Sequence, residues 1–170
     1  MNTRTSRSIR QLTYAGVIAA LYVALTMLSA LFGLSGTNAV QVRLSEALCI
    51  LPFFTAAAIP GLTIGCLIAN LVTAAALPDI IFGTLATLIG AVGTYLLRRF
   101  HYLLAILPPI VANTVIIPFV IRYAYIDVDA SLPFLFLSVG IGEIVSVGVL
   151  GTALLLALKP HRQRIFRNEK

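Results

Sequence analysis

The feature that most constrains this chain is the length of its charge-free stretches. From Gln11 to Gly36 no Asp, Glu, Lys or Arg occurs, which is more than the ~20 residues an α-helix needs to cross a hydrocarbon core. The stretch is too long for the apolar region of a signal peptide, so it is expected to remain as a membrane helix. Five further apolar segments follow, giving expected spans at 11–34, 42–59, 61–77, 80–97, 102–121 and 132–158. Six helices leave only short loops and tails in 170 residues, so a single transmembrane domain over 1–170 is expected, with no attached soluble enzyme. Composition agrees: 59% of residues are hydrophobic and 11% charged, against ~45–50% and ~25% in soluble domains.

Turn signals separate the segments. Gly33 to Gly36 with Thr37-Asn38 reads as a loop, Pro60-Gly61 as the close of the second span, and Pro78-Asp79 as a tight turn. Pro108, Pro109 and Pro118 fall inside the fifth span, where each frees a carbonyl that needs a partner from a neighbouring helix or from water. With both termini cytoplasmic, ten of the twelve basic residues lie on the inner side and only Arg43 and Arg122 on the outer. That asymmetry follows the positive-inside rule and suits an even number of spans. Topology and anionic headgroups therefore account for the net charge of +6 without nucleic acid.

Depth along each helix then groups the polar residues. Arg43, Glu46 and Asp79 are expected near the outer ends of their spans, and Arg122, Asp127 and Asp129 in the last outer loop. Asn113 lies slightly outward of the middle of its span, and Asn70 and Glu143 lie near the middle of theirs, so the polar groups outline a cavity entered from outside. Glu143 is the most informative, because a mid-membrane carboxylate costs ~2.5–3.5 kcal/mol on insertion scales and is usually paired, hydrated or functional. Asn113 and Asn70 read either as ligand contacts or as ties between helices. Asp79 reads as a helix cap or a ligand group. Arg43 and Glu46, three apart, read as an ion pair or as a pocket rim. Tyr123, Tyr125 and Phe134 read as a stacking platform or, for the tyrosines, as interfacial anchors.

Small residues repeat at four-residue spacing: Ala15 with Ala19 and Ala20 with Ala24 in the first span, Gly61, Gly65, Ala69 and Thr73 in the third, Gly83, Thr87, Gly90 and Thr94 in the fourth. Such stripes let helices approach closely inside a bundle, or dock another membrane protein when they face outward. Cys49 and Cys66 lack metal-ligand spacing and read as small buried hydrophobes, and no metal site or cofactor is expected. No P-loop motif occurs, so ATP would have to be used by a partner. Gly33-Leu34-Ser35-Gly36 superficially matches an intramembrane protease serine, but His101 and His161 fall at the opposite surface from Ser35, leaving a loop turn as the better account.

The block Gln41-Val42-Arg43-Leu44-Ser45-Glu46-Ala47-Leu48, with Leu51-Pro52-Phe53-Phe54-Thr55 and Ala58-Ile59-Pro60-Gly61-Leu62, resembles the QueT family of substrate-binding S components of energy-coupling-factor (ECF) transporters. The likeness runs on through Gly65 to Leu71 and Asp79 to Thr87. It implies an all-α bundle of six membrane helices in the bacterial plasma membrane, no enzymatic activity, and outside capture of a queuosine precursor, a deazaguanine-type base. It implies assembly with a transmembrane T protein and two ATPases, docked through an Ala-x-x-x-Ala element that Ala15 and Ala19 fit. A carboxylate can accept the two parallel N–H donors of a guanine-like ring. Glu143 is the first candidate, Glu46 or Asp79 a second carboxylate for a cationic substituent, and Asn113 a contact for ring acceptors; Arg43, Asn70 and Tyr123 complete the expected site. An S component for another nucleobase or vitamin, and a small oligomeric channel, stand as alternatives.

Overall fold

The computed structural model describes residues 3–34, 42–125 and 130–166. Ser35, Gln41, Asp127, Asp129 and the tail beyond Phe166 lie outside them. Every described element is helical: α1 (Thr3–Leu31), a 3-10 helix (Leu44–Phe53), α2 (Ala58–Val72), α3 (Leu77–Leu97), α4 (Tyr102–Ala124), α5 (Leu132–Glu143), a π-helical stretch (Ile144–Gly151), α6 (Thr152–Leu158), one 3-10 turn (Lys159–His161) and a last short α7 (Arg162–Ile165). Four helical runs are long and apolar enough to cross a membrane: 7–31, 77–97, 102–124 and 132–165, the last formed by α5 to α7 with the π-helical stretch between.

The second expected span differs most. In place of a membrane α-helix over 42–59 there is a ten-residue 3-10 helix, which at ~2.0 Å per residue still reaches about 20 Å. Pro52 lies within it and withholds one backbone donor. Winding at three residues per turn eclipses side chains at i and i+3, which sets Cys49 directly above Glu46. The helix is buried almost all round, from Ser45 and Glu46 to Leu48–Pro52, so it forms the central post of the bundle. That burial explains why its sequence is apolar on every side rather than on one stripe.

Helix ends also shift from their expected places for reasons of backbone chemistry. Pro60 does not close the second segment; it occupies the first turn of α2, where its missing N–H is one the helix leaves unpaired anyway. Pro78 and Asp79 do not form the turn but open α3. The turn comes earlier, at Ala74, whose φ of 53° and bonds Ala74 N→Leu71 O and Ala75 N→Asn70 O make a Schellman cap without glycine. Gly33, at φ 67°, closes α1 in the same way, with Leu34 N→Ser29 O and Gly33 N→Ala30 O.

Small residues hold the bundle together. A Cβ on Gly61 would lie 2.8 Å from Ala15 O, and one on Gly65 3.0 Å from Ala19 Cα. The Ala15/Ala19 face, expected to dock a partner, is therefore packed on α2. The exposed small stripe of α1 is the neighbouring one, Gly16, Ala20 and Ala24. Gly90 and Gly93 receive Pro109 and Pro108 of α4 in the same manner. Pro109 frees the carbonyl of Ala105, and Thr94 Oγ1 of α3 donates to it at 2.8 Å, which is the kind of partner that a membrane proline requires. At the opposite end from Arg43, Phe54 stacks on Phe166 at 5.2 Å and Tyr14 Oη donates to Ile165 O at 2.5 Å, so α1 and the C-terminal helix meet at one end of the bundle.

Candidate functional site

The polar residues singled out above gather at two levels around the 3-10 helix. At the inner level Glu46, 2% exposed, is held by three donors: Tyr22 Oη to Oε1 at 2.5 Å, Cys49 Sγ to Oε2 at 3.1 Å and Asn113 Nδ2 to Oε2 at 3.3 Å. Asn113 also hydrogen-bonds the Glu143 side chain, so its amide bridges the two acids. Glu143 Oε2 is buried and has no hydrogen-bond partner among the described residues. Both acids, Asn113 and Arg43 border a polar cavity with Ile117 and Val139. Its free space is about 10 Å³, room for roughly one water.

Glu143 ends α5, and the π-helical stretch begins with the next residue. Wide π turns are frequently found at functional sites, and this one is followed by a return to α-helix at Thr152.

Of the two readings of Arg43 and Glu46, the ion pair does not form, while both residues border the inner cavity. At the outer level Arg43 precedes the 3-10 helix with extended backbone (φ −107°, ψ 110°), and its Nη2 reaches Asp79 Oδ2 at 3.9 Å; Glu46 is already taken up by its three donors. Asp79 does not cap α3 with its carboxylate either: Oδ2 accepts from Tyr125 Oη at 2.9 Å and Oδ1 has no hydrogen-bond partner among the described residues. Burial, and next the Asp79 charge, push the Tyr125 hydroxyl above its ordinary pKa, so it stays a donor at neutral pH. Asn70 ties helices, donating to Asp79 O at 3.4 Å and to Cys66 Sγ at 3.6 Å. Thr26, Arg43, Asn70, Ala74, Asp79 and Tyr125 border a vestibule of about 280 Å³, near the lower end of the ~300–1,000 Å³ usual for small-molecule sites.

Six of the seven expected binding residues thus converge. Tyr123 does not: it is 77% exposed and borders an apolar groove with Phe82 and Phe119. Phe134 is exposed as well.

The family model described as QueT transporter matches residues 12–160. The chain belongs to the QueT transporter family. As a QueT transporter it is a multi-pass membrane protein with a transport role. No curated protein and no solved structure matches it at a significant level.

Tyr22 and Cys49 are the residues of this QueT chain's site that motif reading missed. Tyr22 is 1% exposed and bonded to Glu46. The available signal was helical periodicity: Ile18, Tyr22, Thr26 and Ser29 share the buried face of α1. Cys49 and Cys66 are buried as expected, but each also serves as a polar partner, to Glu46 and to Thr87 at 3.3 Å respectively.

Proposed function

We propose that this chain is the substrate-capture (S) subunit of an ATP-driven ECF importer in the bacterial plasma membrane, taking up a queuosine precursor of deazaguanine type from outside. The observation that carries the reading is the pairing of a 280 Å³ vestibule with Glu143, a buried carboxylate whose Oε2 has no partner among the described residues. A guanine-like ring offers two parallel N–H donors, and an open carboxylate is their natural acceptor. The inner space of about 10 Å³ is too small for the ring itself, so the ring body occupies the vestibule and its donor edge turns toward Glu143.

Six crossings of a single domain over 1–170, with both termini cytoplasmic, accord with the meeting of Tyr14 and Ile165 and with the basic residues gathered toward that end. The 3-10 helix, buried among the other helices, and α2, with one exposed apolar face, then make the second and third crossings as short elements. The T protein docks on Gly16, Ala20 and Ala24, the exposed small stripe of α1, and two ATPases supply the energy through it.

Titration of the purified protein with deazaguanine precursors tests this. Submicromolar binding is expected, weakened about 10- to 100-fold by Glu143→Gln, the range for losing a charge-assisted hydrogen bond. Precursor affinity unchanged by that substitution would remove Glu143 from the site. A vitamin or other nucleobase bound in place of every deazaguanine would reassign the substrate.

A further inference from the structure

We infer that Arg43 determines specificity by reading the acceptor edge of the ligand, so that the site selects a ring with an oxo group beside its two N–H donors. The inference rests on the reading above, with Glu143 taking the donor edge. Its own basis is an account of where each side-chain donor in the cleft is spent.

In the vestibule, Tyr125 Oη donates to Asp79 Oδ2. Asn70 Nδ2 donates to Asp79 O and Cys66 Sγ, Thr26 Oγ1 to Tyr22 O at 2.9 Å, and Thr73 Oγ1 to Ala69 O at 2.9 Å. In the inner cavity the Asn113 amide bridges Glu46 and Glu143, which takes away the role of acceptor reader expected for it. Arg43 is different. Its guanidinium carries five N–H donors, its recorded ion pair is a long one of 3.9 Å to Asp79, and it is the residue common to the linings of both spaces.

The position matches the chemistry. A guanidinium standing between the vestibule and the cavity of Glu143 meets an acceptor adjacent to donors that Glu143 receives, the order found along one edge of a guanine-type ring. A thione in place of the oxo group would keep both N–H donors for Glu143 but offer a poor acceptor, leaving the guanidinium unmatched. Sites built to bond one polar group reject analogues lacking it strongly, because their own buried groups are left unpaired. Asp79, pinned by Tyr125, keeps Arg43 oriented and is a positioning residue here.

The test compares 7-deazaguanine with 6-thio-7-deazaguanine, which keeps N1–H and the 2-amino group, on the full-length protein in detergent, for wild type, Arg43→Gln and Arg43→Lys. The wild type is expected to prefer the oxo ring by about 10- to 100-fold. Arg43→Gln should bring the ratio close to one, mainly through weaker binding of the oxo ring. Arg43→Lys, which keeps the charge and loses the planar fork, should fall between and covers the case in which the glutamine variant does not fold. A wild-type ratio near one, or a ratio unchanged in a folded Arg43 variant, overturns the inference while leaving the capture role standing if Glu143→Gln still weakens binding. Failure of the wild type to bind any deazapurine overturns both.

Discussion

Glu46 and Glu143 are the same residue type a short distance apart, and the donors around them divide their work. Both oxygens of Glu46 accept from the protein, from Tyr22, Cys49 and Asn113, so it serves to hold Asn113. Glu143 keeps one oxygen open. Tyr22→Phe tests the division, since it leaves Glu46 Oε1 buried without its donor, at a cost of about 1–3 kcal/mol. A lower thermal midpoint in detergent is expected, with a smaller loss of ligand affinity than for Glu143→Gln. Cys49→Ala should cost less, because a thiol is a weak donor.

Helices meet through substitutions of shape for hydrogen bonding. Thr94→Val removes the donor to the proline-freed carbonyl of Ala105, and a loss of about 0.6–2 kcal/mol is expected in unfolding measurements in detergent, the range for side-chain hydrogen bonds between membrane helices. Gly65→Leu would force α1 and α2 apart, because even a Cβ there lies 2.8 Å from Tyr22 Cβ; expression of folded protein should fall sharply. Ala74→Gly works in the other direction. Its left-handed φ of 53° strains alanine by about 1 kcal/mol and glycine hardly at all, so the variant should melt higher unless its added unfolded-chain entropy cancels the gain.

Across the bundle, the two ends have different tasks. One end carries the vestibule; the other is tied by Phe54 on Phe166 and Tyr14 on Ile165. Between them the outer face of α1 presents Gly16, Ala20 and Ala24, with nothing within 4 Å of a Cβ on Gly16. Under the proposed ECF assembly, Ala20→Leu should abolish co-purification with a T protein and ATPases when these are co-expressed. It should leave precursor affinity within about twofold, as expected for a substitution remote from the site.

Membrane residence, the helical class and the identity of the buried polar groups were all readable in the chain, because burying acids and amides in lipid is costly enough that Glu46, Asp79, Asn113 and Glu143 stand out against an apolar background. Partner choice was not. Arg43 is three residues from Glu46 and thirty-six from Asp79, yet pairs with Asp79, since the extended backbone at Arg43 and the donors already on Glu46 act together only once α1, α4 and the 3-10 helix are packed. The same holds for the small stripes: Ala15 and Ala20 begin equivalent four-residue repeats, and the packing of Gly61 and Gly65 against one face of α1 determines which repeat is enclosed and which stays open. Spacing along a helix defines its faces, while what each face meets depends on every other helix in the bundle.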